Sequence, residues 1–245
     1  MEIHRPKAIH GWRELAKEVG IIVLGVLIAL AAEQVAESLR DQHKAAEART
    51  YIRAEIAQNL GRMTVRLRSE DCVKTRLDEI GGLLDARAAG RPPASPIWIG
   101  RPQTFVMNTT RFEAAAGGGR ASLLSQDEQA AYGRLYAEFA TFNELVGRER
   151  PAWAKLQVLE DAPPVNPMLE AELRLARQEA KYDRGRAAQA VKEATRDAKA
   201  IGIEPDMTSW GQNKGGPISA CIGLHLPRAQ ALDLFYGQGD RISEP

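Results

Sequence analysis

The stretch EVGIIVLGVLIALAAEQ, residues 18–34, decides how the rest of the chain is read. Between Glu18 and Glu33 all 14 residues (19–32) are apolar or glycine. That is short of the ~20 a membrane-crossing helix needs. The flanks lengthen it. Trp12 and Leu15 precede the run and Val35 and Leu39 follow it. Arg13 and Lys17 can keep their methylenes in lipid while their charged ends reach the headgroups. Counted over residues 12–35, the span is about 24 residues, or ~35 Å of helix. The reading is a single transmembrane helix in the lipid bilayer, with Trp12, Arg13 and Lys17 at the membrane interface.

Two rival readings compete with this one. A core helix of a soluble protein is apolar along one stripe, whereas this run is apolar on every face. A cleaved signal peptide fits better, because Ala29 and Ala31 make the small-x-small pattern of a cleavage site behind a basic leader. Against cleavage, the leader carries Glu2, Glu14 and Glu18, and the helical pattern passes the site without a breaker. Arg5, Lys7, Arg13 and Lys17 precede the span and Arg40, Lys44 and Arg49 follow it. This small excess puts the amino terminus on the cytoplasmic side and the larger carboxy-terminal part outside.

The leader EIHRPKAIHGWRELAKEVGIIVLGVLIALAAEQ resembles a group of single-pass bacterial membrane proteins of unassigned role. They share a basic Trp-Arg-Glu lead into a glycine-punctuated apolar helix ending in Glu-Gln. A second stretch, FEAAAGGGRASLLSQDEQAAYGRLY, is similar in kind to a Ser-Leu-Leu helical hairpin of the same group. The resemblance implies a helical protein of the bacterial inner membrane with its C-terminal domain in the periplasm. It carries over no catalytic residues.

Beyond the span, apolar residues recur in steps of three and four at Ile52, Ile56, Leu60, Met63 and Leu67, then at Val73, Leu77, Ile80 and Leu84, with a gap at Glu70. The spacing predicts one long amphipathic helix, or two joined near Gly61, ending around Gly90. RPPASPIWIGRP, residues 91–102, reads as a proline-punctuated connector with a short extended piece at 97–99. Asn108 or Thr109 can cap a short helix running into Gly117. Ser125 followed by Glu128 is a capping-box pattern, so the next helix starts there, with Leu135, Phe139, Phe142 and Val146 inward and Pro151 bending or ending it. Asn166 and Pro167 open a further helix that Gly202 closes. Its inner stripe runs Leu169, Leu173, Ala176, Ala180, Ala187, Val191, Ala194, Ala198 and Ile201, largely alanine. The fold class expected is all-α: a cytoplasmic leader (1–11), the transmembrane helix (12–35), an extracytoplasmic helical bundle (36–203), and a Gly/Pro-rich tail (204–245) packing on it, with a short helix at 226–236.

Composition bounds the function. The chain has 245 residues, 44% hydrophobic and 27% charged, with 33 Lys and Arg against 32 Asp and Glu and a net charge of +1. No global field favours nucleic acid, and nucleic-acid binding is not expected. Cys72 and Cys221 are an even pair, expected to form a disulfide on the exported side. Free buried thiols, or metal or catalytic use of Cys221 with His225 in CIGLH, are the alternatives. The closed loop would span well over a hundred residues, for which chain entropy gives about 4–5 kcal/mol at most.

Other constellations read blandly. AAAGGGRAS lacks phosphate-loop spacing and is expected to be a hairpin between helices. Ser219 in PISACIG lacks the glycines of a nucleophile elbow. Glu70 with Asp71, and Asp78 with Glu79, are expected on a solvated helix face. Tyr132, Tyr136, Phe139, Phe142 and Trp153 are weighed toward core rather than ligand pocket. Gly25 and Ala29 form a small-xxx-small pair, a candidate helix contact within the membrane, with lipid-facing as the plainer reading. No catalytic, cofactor or metal-ligand signature is found. The function expected is that of a non-enzymatic accessory or scaffolding subunit acting through a membrane-protein partner or as a homo-oligomer. The runner-up is a periplasmic small-ligand-binding or sensory module, which would need a partner for output because the leader is too short for an output domain.

Overall fold

The computed structural model describes residues 11–91, 98–161 and 166–208. Five α-helices are described among these residues: α1 (Trp12–Arg68), α2 (Glu70–Ala88), α3 (Thr110–Gly117), α4 (Gln126–Gln157) and α5 (Pro167–Ala200). No strand occurs among the described residues. The 57 residues of α1 make a rod of ~85 Å. Its first buried residue is Ala45. The described residues before it are exposed apart from half-buried Ala36 and Asp41, so the apolar run enters no core among the described residues.

The long helix does not break at Gly61, which is helical and buried within α1. It breaks at Ser69, next to the gap in the apolar period at Glu70. Ser69 N–H turns to Arg66 O at 3.2 Å, and the Ser69 hydroxyl donates to the same carbonyl at 2.6 Å. A serine hydroxyl competes with the helical ladder for a nearby carbonyl, and here it tightens the last turn of α1, where the ladder is interrupted before α2 begins. At the end of α2, Gly90 takes φ 71 and Arg91 N–H reaches back to Ala86 O at 2.9 Å, the glycine stop expected there.

The caps foreseen on α4 and α5 are in place. Ser125 Oγ accepts from Glu128 N–H, and Glu128 returns a carboxylate to Ser125 N–H, each at 3.2 Å. Asn166 Oδ1 accepts from Leu169 N–H at 2.9 Å ahead of Pro167. Pro151 does not end α4, which continues to Gln157 and then tightens into the 3₁₀ turn Val158–Asp161. The proline ring removes one donor, but Ala152, Trp153 and Leu156 beyond it are buried, and that packing outweighs one lost helix bond.

Ion pairs and hydrogen bonds record the packing order. Arg49 meets Glu128, Tyr136 meets Glu55, and Arg66 meets Glu149, so α1 runs parallel to α4. Arg53 meets Ile201, Arg184 meets Glu70, and Arg174 meets Asp85, so α5 runs antiparallel to α1 and α2. The most extensive helix pairing is α4 with α5. The alanines of α5, Ala176, Ala180, Ala194 and Ala198, are fully buried. Small side chains let the helix backbones come close, and the seam is filled within the chain, chiefly by α4 rather than by the 52–84 stripe alone. Gly81 serves the same closeness on α2. Arg177 lies across it and donates to Leu77 O, and a Cβ there would come within 2.6 Å of the guanidinium carbon.

Two apolar clusters result. The first joins Ile52, Ile56, Leu60 and Met63 of α1 with Tyr132, Leu135, Phe139 and Phe142 of α4 and Val191 and Ala194 of α5. The second joins Val73, Leu77, Ile80 and Leu84 of α2 with Trp153 and Leu156 of α4 and Leu173 and Ala176 of α5. Tyr132, Tyr136, Phe139, Phe142 and Trp153 are thus core residues. Of the tail, only 204–208 is described, where Asp206 N–H bonds Ala57 O of α1 at 2.8 Å. The short helix expected at 226–236 lies outside the described residues.

Candidate functional site

Three places on the described chain hold polar groups or exposed surface in an arrangement that packing alone does not require. The first is the layer between the two apolar clusters, at the α1–α2 break. Arg66 is 3% exposed and Glu149 1% exposed, and they pair at 2.8 Å. Arg66 also donates to Ser69 Oγ at 3.2 Å. Glu70, expected on a solvated face, instead turns inward to Arg184 of α5. Asp183 is buried and takes Arg148 of α4 at 3.2 Å. Burial pushes the Glu149 carboxyl above its ordinary range, and Arg66 opposes that push. Among the described residues Arg66 Nε and Arg184 Nε find no hydrogen-bond partner, so the layer is incompletely satisfied there.

The second place is the connector before α3. Its backbone is held by side chains from three helices. Asn143 of α4 accepts from Met107 N–H at 2.7 Å and donates to Met107 O at 3.1 Å. Asn59 of α1 does the same for Asn108, at 2.9 and 2.7 Å. Arg76 of α2 donates to the carbonyls of Trp98 and Ile99, and Glu160 accepts from Ile99 and Gly100 N–H at 2.9 and 3.1 Å. Glu55 accepts from Arg111 N–H at 3.1 Å in the first turn of α3 and from Tyr136 O–H at 2.6 Å. Burial, with Glu55 beside it, pushes the Tyr136 phenol well above its usual range. These side chains do the work a neighbouring strand would do, giving partners to backbone groups at 98–100 and at Met107 and Asn108. The extended piece expected at 97–99 is described only from Trp98, where the chain is irregular and buried. Against this connector lies an open cleft of about 360 Å³, bordered by Arg101, Pro102, Thr104, Gly147, Arg150 and Trp153.

The third place is the uncovered part of α1. Trp12, Arg13 and Lys17 lie exposed in its first turns, and Gly25 and Ala29 lie exposed within it. Among the described residues nothing approaches within 4 Å of where a Cβ on Gly25 would sit. The helix is long and apolar enough to cross a membrane.

Cys72 is half-buried in the first turns of α2. Its expected partner Cys221, together with Ser219 and His225, lies outside the described residues. Sequence reasoning missed Glu55, Asn59, Arg66, Arg76 and Glu149, yet a signal was present. Each occupies a position that the helical period assigns to the inner face: Asn59 is seven after Ile52, Arg66 three after Met63, Arg76 three after Val73, and Glu149 seven after Phe142. A polar residue on an apolar stripe announces a buried partner. No protein-family model matches the chain, and neither does any curated protein or solved structure.

Proposed function

We propose that the protein is a membrane-anchored accessory or scaffolding subunit that acts by contact with a membrane partner, its helical body held on the periplasmic side of the bacterial inner membrane. The observation that carries this reading is the continuity of α1. One unbroken helix is bare and apolar at its amino end and packs into the folded body at its carboxy end. A load or a contact at the span is therefore transmitted to the body without a flexible joint. The buried polar side chains support the same reading, since they hold the connector and one another rather than converging on an open site. Export is the setting in which Cys72 and Cys221 would be bridged.

The cleft at Arg101 and Arg150 favours the second reading, a ligand-binding module for a small anion. Extraction of the full chain in mild detergent, affinity capture and mass spectrometry decide between them. Reproducible, stoichiometric capture of a membrane protein or a second copy is expected. A lone monomer carrying a metabolite would replace the contact reading with the ligand reading.

A further inference from the structure

Taking α1 as an anchor, on which this step rests, we infer that its face from Gly25 to Leu39 is a parallel seam for a second copy of this chain. Gly25, Ile28, Ala32, Val35, Leu39 and Gln42 recur at alternating steps of three and four. That repeat keeps one edge of a helix turned toward a parallel neighbour. Two small-xxx-small pairs, Gly25 with Ala29 and Ala32 with Ala36, allow close backbone approach along it.

The second observation is where the charges fall. The charged residues after Gly25 and up to Glu47 are Glu33, Glu37, Arg40, Asp41, Lys44 and Glu47. All six take heptad positions pointing away from the seam, so the edge itself carries no formal charge. His43 flanks it.

Lipid does not account for the upper part of this edge. The transmembrane span of residues 12–35 covers the ~30 Å hydrocarbon thickness and its borders, and ends at Val35. Leu39, 60% exposed, lies beyond it and is uncovered by the other described residues. Where the same edge reaches the body it is taken over internally: Arg53, two heptads above Leu39, donates to Ile201 O and Gly202 O at 3.0 and 2.7 Å. The unpartnered part is therefore a defined stretch of helix with a lower and an upper end.

A second copy suits it better than an unrelated helix. Identical chains enter the membrane in the same sense, so their α1 helices are parallel and in register, and a two-fold axis along the membrane normal sets each residue against its own equivalent. An uncharged edge meets its copy without like-charge opposition.

The test places single cysteines in the full chain within membranes, at Val35→Cys, Leu39→Cys and Gln42→Cys on the seam and at Glu37→Cys, Asp41→Cys and Lys44→Cys off it. Oxidation follows, and dimers are read on non-reducing gels. The parent chain, with Cys72 and Cys221 alone, sets the background. Bridging needs Cα atoms within about 7 Å, so the seam positions should crosslink severalfold more than the others. Adding Gly25→Leu and Ala29→Leu to the Leu39→Cys chain should cut that crosslink severalfold while far-UV dichroism stays unchanged. Equal crosslinking around the helix overturns the seam. Crosslinks from the seam to a different protein overturn the second copy but leave action by contact standing. A monomer throughout, with no captured partner, overturns both.

Discussion

Replacing Glu149 by leucine tests the polar layer between the two cores. The substitution removes a carboxylate that is 1% exposed and leaves the Arg66 guanidinium, 3% exposed, without its 2.8 Å partner. A buried ion left alone costs about 3–5 kcal/mol. Arg66 keeps a hydrogen bond to Ser69 Oγ at 3.2 Å and the more distant Glu70 at 4.0 Å, so the lower end, about 3 kcal/mol, is expected. The double substitution Arg66→Met, Glu149→Leu should recover most of that loss and lie within about 1 kcal/mol of the parent, because two desolvated charges are exchanged for apolar contacts between clusters that already flank them. Ser69 retains its bond to the Arg66 backbone carbonyl in both variants, so the α1–α2 break persists. Guanidinium unfolding of the full chain in detergent, followed by far-UV dichroism, measures both differences. A double variant as unstable as the single one would refute the reasoning, since the layer would then be stabilising the fold through more than mutual compensation.

Four further outcomes are expected. Arg49 donates to Glu128 at 2.9 Å, and its hydrogen bond, before the contribution of Ser125, holds the Glu128 carboxyl down at about 2. Because that pKa is depressed on folding, the stabilisation is present above the ordinary carboxylate range and fades as pH falls toward 2. Glu128→Gln should thus cost about 1–2 kcal/mol at pH 7, allowing for the partial exposure of Arg49, and less at pH 3; an unchanging cost in melts across this range would contradict it. Asn143→Ala leaves both backbone groups of buried Met107 unpaired, which predicts about 1–3 kcal/mol of destabilisation and faster amide exchange at Met107. If α1 crosses the bilayer, the chain stays in the pellet after alkaline carbonate washing and keeps residues 1–31; a soluble form starting at Ala32 would show cleavage instead. Intact mass after alkylation without reductant should find Cys72 and Cys221 unmodified, whereas two alkylated thiols would remove the bridge and weaken the case for export.

What the sequence determined by itself was whatever depends on local chemistry. Helix ends were legible because their signals are carried by one or two residues: Ser125 with Glu128, Asn166 with Pro167, and the glycines at 90 and 202. The bare apolar run was legible because composition on all faces needs no partner to be recognised. The inner faces of α4 and α5 followed from period alone. Tertiary structure decided the matters in which a residue's role depends on what lies opposite it. Gly61 stays helical and Ser69 breaks the rod because helix propensity is worth less than the contacts on either side, and those contacts come from α4 and α5. Pro151 remains inside α4 for the same reason. The alanine seam was readable as a close-packing surface, but only the fold shows that α4 fills it. Glu55, Asn59, Arg66, Arg76 and Glu149 stood in plain view on apolar stripes, yet their partners are a connector and helices 22 to 83 residues away along the chain, and a buried charge has a meaning only once its neighbour is known.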